Sequence, residues 1–486
     1  MKAATIRSAL ARSLLTACLA GLTGAACAQA FDTPPAPSAP RPLSIEAPVE
    51  QRLPNGLRVV LAERRGVQLV SAQLVVLAGS EVDPEQRAGL ASMTAGLLTR
   101  GTRLHSASAL AQAAESLGGA LGSGAGWHQS EVAITVTVPK LDAALSLVSE
   151  AVQHPRFAQD ELDRLREQAL DELKVAYTQP GTLASLAAQH LLFGNGAYGH
   201  PAGGTPRSLA RISRADLLAL HAAQYRPDNA VLVLAGDIDA DTALRLARRH
   251  FGAWKAAGRA AAAPTQAAGR PMPQTAALID LPQSGQAAVV LALPLPPLGA
   301  DRAAAMVMNS VLGGGYSSRL NQEIRIKRGL SYSAGSGLDA RKLGGSLRLA
   351  VQTKNESAAE VAGLMQGELD QLVAVPVGEP ELAARKATLI GDFSRSVETT
   401  AGLGAAVKSL IVAGRPTAEL RTRIDAIMAV SADQVQRYAA ANLGVAQRRL
   451  VVAGEAAQFA EVLRAAYPTL VVVPAAALDV ERDDRL

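Results

Sequence analysis

The chain has 486 residues, roughly three times the size of a typical single domain, so more than one hydrophobic core is expected. Hydrophobic residues make up 49% and charged residues 19%, which excludes an intrinsically disordered chain, and aromatics at 3% exclude the stacking platforms of a single-strand nucleic-acid binder. The formal charge of +5 falls to +2 once residues 1–30 are set apart, because they hold Lys2, Arg7 and Arg12 and no acid, leaving 45 basic against 43 acidic residues. No nucleic-acid partner is expected from that balance.

Residues 1–30 read as a secretory signal. A basic segment ends at Arg12, an apolar stretch runs from Leu14 to Cys27, and Ala28-Gln29-Ala30 is a small-residue cleavage site, with cleavage after Ala30. The stretch is too short and too rich in small residues to span a bilayer well. A lipoprotein form anchored at Cys27 is the alternative, against a poor aliphatic pattern at Gly24-Ala25-Ala26. Both cysteines, Cys18 and Cys27, fall inside the signal, so the mature chain is expected to carry no disulfide and no thiolate metal site. The expected address is the periplasm. No later stretch reaches about 18 uninterrupted apolar residues, so no transmembrane segment is expected after signal removal.

A Pro/Ala-rich leader spans 31–47, and a globular region begins near Val49. Leu53-Pro54-Asn55-Gly56-Leu57 carries a hairpin signal, Asn55-Gly56, of the type I′ kind. Val132, Ile134, Val136 and Val138 alternate with polar or small residues, a half-buried strand, and an amphipathic helix follows over 142–152. Ser213 opens a second helix as an N-cap, with Asp216 three residues on, and leads to the apolar run ending at Gly236. The stretch 258–275 reads as a linker. Beyond it the landmarks return in the same order: alternation at Leu347, Leu349 and Val351, a helix over 357–372, then Ser431 with Gln434, and an apolar run ending at Gly454. Ser213 precedes Gly236 by 23 residues, and Ser431 precedes Gly454 by the same 23. The expected architecture is α+β: two homologous halves, 48–257 and 276–486, each a mostly antiparallel sheet with helices packed on one face, forming a clamshell.

The seven histidines, His105, His128, His154, His190, His200, His221 and His250, all lie in the first half, and no two are three, four or five apart. A helical zinc site needs two imidazoles one turn apart, and none is available. There is no G-x-S-x-G elbow, and Gly313-Gly314-Gly315 lacks the Lys-Ser/Thr of a phosphate loop, so it is expected to be a flexible loop between helices.

Leu53-Pro54-Asn55-Gly56-Leu57-Arg58-Val59-Val60, Gly89-Leu90-Ala91, Arg100-Gly101-Thr102, Gly199-His200-Pro201, Tyr225-Arg226-Pro227-Asp228-Asn229, Gly313 to Leu320 and Arg325 to Tyr332 resemble, in order, the pitrilysin/insulinase family of inverted zincins. The resemblance implies a metallopeptidase fold of two homologous halves. It also exposes a departure. Active members carry H-x-x-E-H on the helix after Gly89-Leu90-Ala91, two zinc ligands around a general base. Here Ser92 and Gly96 replace the histidines and Ala95 replaces the base. Glu172 aligns with the family's distal glutamate and is the sole remaining candidate ligand, more in keeping with a helix-surface acid. The family also uses an arginine and a tyrosine seven residues apart from its second half, and Arg325 and Tyr332 stand at that spacing. They suit contacts to a substrate carbonyl and its developing oxyanion.

The resemblance therefore implies a non-catalytic, substrate-contacting subunit with no cofactor of its own. It would complete the site of a homologous catalytic partner with intact H-x-x-E-H, in which zinc is expected, and would act on extended peptides. The alternatives are a structural or peptide-binding scaffold of the same fold, and an active metallopeptidase with an atypical site.

Overall fold

The computed structural model describes residues 45–256 and 272–481. The predicted signal at 1–30, most of the leader 31–47 and most of the linker 258–275 lie outside the described residues.

The chain enters through β1 (Val49–Arg52) and β2 (Arg58–Glu63), an antiparallel hairpin in which Arg52 faces Arg58. Its turn is not the predicted two-residue type I′. The Leu53 carbonyl accepts from the Gly56 N–H at 2.9 Å, and the Leu53 N–H donates to the Leu57 carbonyl at 2.8 Å. Pro54 fixes the first corner of a type I turn, and only Gly56 takes a left-handed backbone, at φ +97°. Asn55 spends its side chain on tertiary contacts instead, donating to the carbonyls of Phe251 (2.8 Å) and Trp254 (3.1 Å).

Four more strands complete the first sheet: β3 (Leu69–Val76), β4 (Gly122–Ala125), β5 (Ser130–Thr137) and β6 (Ala230–Gly236). The second half supplies β7 (Ala276–Asp280), β8 (Ala287–Leu295), β9 (Ala334–Asp339), β10 (Gly345–Thr353), β11 (Arg449–Gly454) and β12 (Val471–Pro474). The strand orders are β1-β2-β6-β3-β5-β4 and β12-β7-β11-β8-β10-β9. Five strands correspond one to one, and the duplicated landmarks fall at equivalent places. Ser213 with Asp216, and Ser431 with Gln434, both form reciprocal capping boxes. The predicted strand–helix pairs are β5 with the helix Leu141–Gln153 and β10 with the helix Ala358–Ala374. Val138 already opens a short 3-10 turn rather than ending the strand, because Pro139 cannot donate to the ladder. The sixth strands differ: β1 runs antiparallel to β2, whereas β12 comes from the C-terminal region and runs parallel to β7.

Each sheet is mostly antiparallel, with the helices of its own half on one face. The opposite face is also covered, by one helix from the other half. Along β8, Ala287, Val289, Leu291 and Leu293 feed the core of the second half. The alternate residues Ala288, Val290 and Ala292 pack with Leu183, Ala187 and Leu191 of the helix Pro180–Phe193, which belongs to the first half. Reciprocally, the helix Thr400–Val412 of the second half lies on β3 and β6. There Gly404 leaves room for the Gln73 amide, whose nitrogen would sit 2.7 Å from an added Cβ. Burial on both faces explains why β6 reads as an unbroken apolar run. Among the described residues no helix is long and apolar enough to cross a membrane.

Candidate functional site

The helix that carries the altered motif spans Leu90–Leu97. Asp83 holds its N-terminus: the two carboxylate oxygens accept from the N–H groups of Gly89 (2.9 Å) and Ala91 (2.8 Å). Burial pushes the Asp83 carboxyl up to about 7, with the nearby Glu81 charge adding to the rise and the backbone donors opposing it. Leu90, Met93 and Leu97 face the first core. Ala95 is fully buried, and Ser92 and Gly96 are half-buried. A Cβ on Gly96 would lie 3.2 Å from Leu165 Cδ2 of the neighbouring helix Gln159–Ala176, so the two helices pack closely at this position.

Glu172 lies exposed on that neighbouring helix and accepts from the Gln168 side chain at 3.0 Å. It is a helix-surface acid held by an amide. These residues do not fit a zinc ion: the motif positions offer a hydroxyl, a methyl and a hydrogen, and Leu165 lies against the last of them. Among the described residues no group of three or more His, Cys, Asp or Glu side chains is arranged to hold a metal. Several histidines have structural partners, such as His105 with Glu150, His250 with Asp142, and His221 with the Val152 carbonyl.

Arg325 and Tyr332 belong to the second half, and the chain brings them together. The guanidinium carbon of Arg325 stands 4.9 Å from the centre of the Tyr332 ring and 5.1 Å from that of Tyr316. Two aromatic rings thus flank one cation, an attraction between the ring quadrupole and the charge. Tyr332 is 87% exposed and Tyr316 66%. Among the described residues Arg325 has no carboxylate or carbonyl partner for its five N–H donors. The nearest acid on its own segment, Glu323, is engaged by Lys327 (2.7 Å) and Arg328.

The backbone around this clamp is firmly tied. Asn321–Ile326 forms a π-helical turn rather than a regular helix, so Arg328 falls in the following turn and not on the same helix as Arg325. Arg319 makes a two-pronged pair with Glu381 (3.1 and 2.8 Å), and Arg385 bonds the Ser317 hydroxyl at 2.8 Å, fixing the loop that carries Tyr316. On the other side Thr353 donates to the Leu330 carbonyl (2.6 Å) and Ser331 to that of Gln352 (2.7 Å). Tyr332 therefore sits in a bend just before β9. Gly313, expected in a flexible loop, is pinned as well: its carbonyl accepts from the Ser336 N–H at 3.0 Å, and an added Cβ would lie 2.3 Å from that nitrogen.

Sequence reasoning missed Tyr316. Its only signal was an aromatic residue directly after three glycines. The altered motif and the clamp are built on separate cores, with Met93 and Leu97 in the first and Leu320 and Ile324 in the second.

Known proteins agree with this architecture. The sequence model of the insulinase family (Peptidase family M16) matches residues 58–202, and that of the Peptidase M16 inactive domain matches 211–389. An uncharacterized zinc protease of Mycobacterium bovis is 31% identical over 358 residues, covering 74% of this chain and 82% of that protein. The crystal structure of a peptidase M16 inactive domain from Pseudomonas fluorescens superposes with a TM-score of 0.78 at 28% identity, covering 84% of this chain and 98% of its own. The periplasmic protease PqqL from Escherichia coli shares the fold, with a TM-score of 0.68 at 16% identity, covering 86% of this chain but only 49% of PqqL. The structure of the first half of PqqL is covered to 94%. The chain belongs to the insulinase family of peptidases, M16, as a member without the zinc-binding H-x-x-E-H motif.

Proposed function

We propose that this chain is the non-catalytic, substrate-contacting subunit of a two-chain periplasmic metallopeptidase. The observation that carries the reading is Arg325, a cation without an acidic partner among the described residues, held between two exposed tyrosines on a firmly tied frame. A guanidinium in that setting offers a planar set of donors to a peptide carbonyl, and the Tyr332 hydroxyl adds another. The motif helix, by contrast, offers neither ligand nor base. The correspondence with half of PqqL supports a partner of similar size, because a chain that spans 49% of a protease leaves room for a second such unit. In this reading the partner is a homologue with intact H-x-x-E-H that supplies zinc and the general base. The two close around an extended peptide, and Arg325 and Tyr332 stabilise charge on the scissile carbonyl.

Mixing the mature chain with such a homologue tests the proposal. A 1:1 complex by size-exclusion chromatography, cleaving unstructured peptides faster than the sum of the separate chains, is the expected result. A homologue that neither binds the chain nor gains activity from it contradicts the proposal and leaves a scaffold role.

A further inference from the structure

At the seam between the halves lies a cavity of about 270 Å³. Its wall carries His128 from the first half and Arg302, Arg341, Lys342, Lys408 and Arg415 from the second, and no Asp or Glu. Three of these cations are matched by acids just outside the lining. Lys408 meets Glu131 at 2.5 Å, Arg415 meets Glu419 at 2.7 Å, and Arg341 pairs with Asp339. His128 leans on Glu81 at 3.5 Å and also accepts from the Lys342 N–H at 3.1 Å.

Two cations remain without an ion pair among the described residues, Arg302 and Lys342. Burial and the neighbouring charge of Arg415 both act against the charged form of Arg302, and only Glu419 attracts it at longer range. Arg341 is held on the other side by aromatic rings. Its side chain is only 4% exposed, and its guanidinium carbon lies 4.0 Å from the Trp127 ring centre and 4.8 Å from that of Tyr198. Its Nη1 is buried without a hydrogen-bond partner. Unmatched positive charge is costly in a partly buried place, and a bound anion relieves it.

We propose that the seam cavity binds a small multivalent oxyanion, of phosphate or polycarboxylate chemistry, and that this anion ties the two halves together. The residues concerned come from β5's approach (His128), the β9–β10 loop (Arg341, Lys342) and the crossing helix (Lys408), so an anion there touches both halves at once. Arg325 is not part of its lining, and all the cations concerned come from this one chain.

The test is thermal unfolding of the full chain in sodium phosphate, sodium citrate and sodium chloride at matched ionic strength. Phosphate or citrate should raise Tm saturably by about 2–4 °C over chloride, and the more effective anion identifies the class. Arg302→Gln should abolish that increment while leaving the melting temperature in chloride equal or higher, since it removes the repulsion with Arg415. Lys174→Gln, an exposed charge change on the helix Gln159–Ala176, should keep the increment. If Arg302→Gln does not fold, Lys342→Gln carries the same test. Equal melting in all three salts, or an undiminished increment in the variants, overturns the proposal.

Discussion

The motif helix and the clamp around Arg325 occupy the two halves of one duplicated fold, and they treat polar groups in opposite ways. Around Leu90–Leu97 the positions that would carry ligands hold small side chains, Ala95 is fully buried, and Leu165 fills the space beside Gly96. Around Arg325 the chain uses salt bridges and hydroxyl bonds to fix the frame, yet among the described residues it gives the half-buried guanidinium no acidic partner and leaves the Tyr332 ring open to solvent. A helix kept only for packing loses polar groups it no longer needs, because each unpaired one costs free energy. A surface that must meet another molecule keeps its donors unspent. In the proposed reading the first region serves stability and the second recognition.

The sharpest way to break this contrast is to put a catalytic group back where packing now rules. Ala95→Glu should destabilise the chain by about 3–5 kcal/mol, because it buries an unpaired carboxylate. Urea unfolding reads the change. A variant as stable as the wild type would show that the motif helix still lines an open, wet site.

A smaller effect is expected at Asp83, which anchors that helix. In Asp83→Asn one carbonyl oxygen must serve two backbone N–H groups, at a cost of about 1–3 kcal/mol. The pH dependence carries a second signature. The Asp83 carboxyl rises from an ordinary 3.8 to about 7 in the folded chain, so the folded state holds its proton more tightly than the unfolded state. Its contribution to stability is therefore fully present below about pH 4 and is lost as the pH rises through about 7. The wild-type-minus-variant stability should fall across that window and level off above it. A difference that does not change with pH would rule out a raised carboxyl.

Much of this frame was legible in the sequence. Ser213 and Ser431 announced their helices because a capping box is a local interaction, written within four residues. Strand alternation at Val132–Val136 and Leu347–Val351 marked the half of each sheet where one face is less deeply covered. The crossing helices were not legible. Pro180–Phe193 and Thr400–Val412 are apolar on most sides and rich in Ala and Gly, a pattern that signals burial but not by which sheet. At Asn55 the dipeptide suggested a tight turn, and contacts nearly two hundred residues away decided otherwise. Arg325 and Tyr332 were found through family spacing. Tyr316 was not, because a ring that meets a cation across a loop leaves no periodic trace.

Tyr316 sharpens the comparison from the clamp's side, with the smallest expected effect. In the reconstituted pair, Tyr316→Ala should lower peptide turnover by up to about tenfold, in line with the worth of one cation–π contact. Tyr316→Phe should not, since the ring face and not the hydroxyl meets Arg325. Equal losses in both variants would place the hydroxyl, rather than the ring, in the site.

The most direct test of recognition by the second half is Arg325→Ala in that same pair, measured as peptide turnover beside complex formation. Folding and pairing should persist while turnover falls by about 10²–10³, the usual cost of losing a donor to a developing oxyanion. Arg325→Lys should rescue poorly, for want of the planar fork. Arg328→Ala should be mild, because that guanidinium is already tied to Glu323. Full turnover in Arg325→Ala, with the complex intact, would contradict the account.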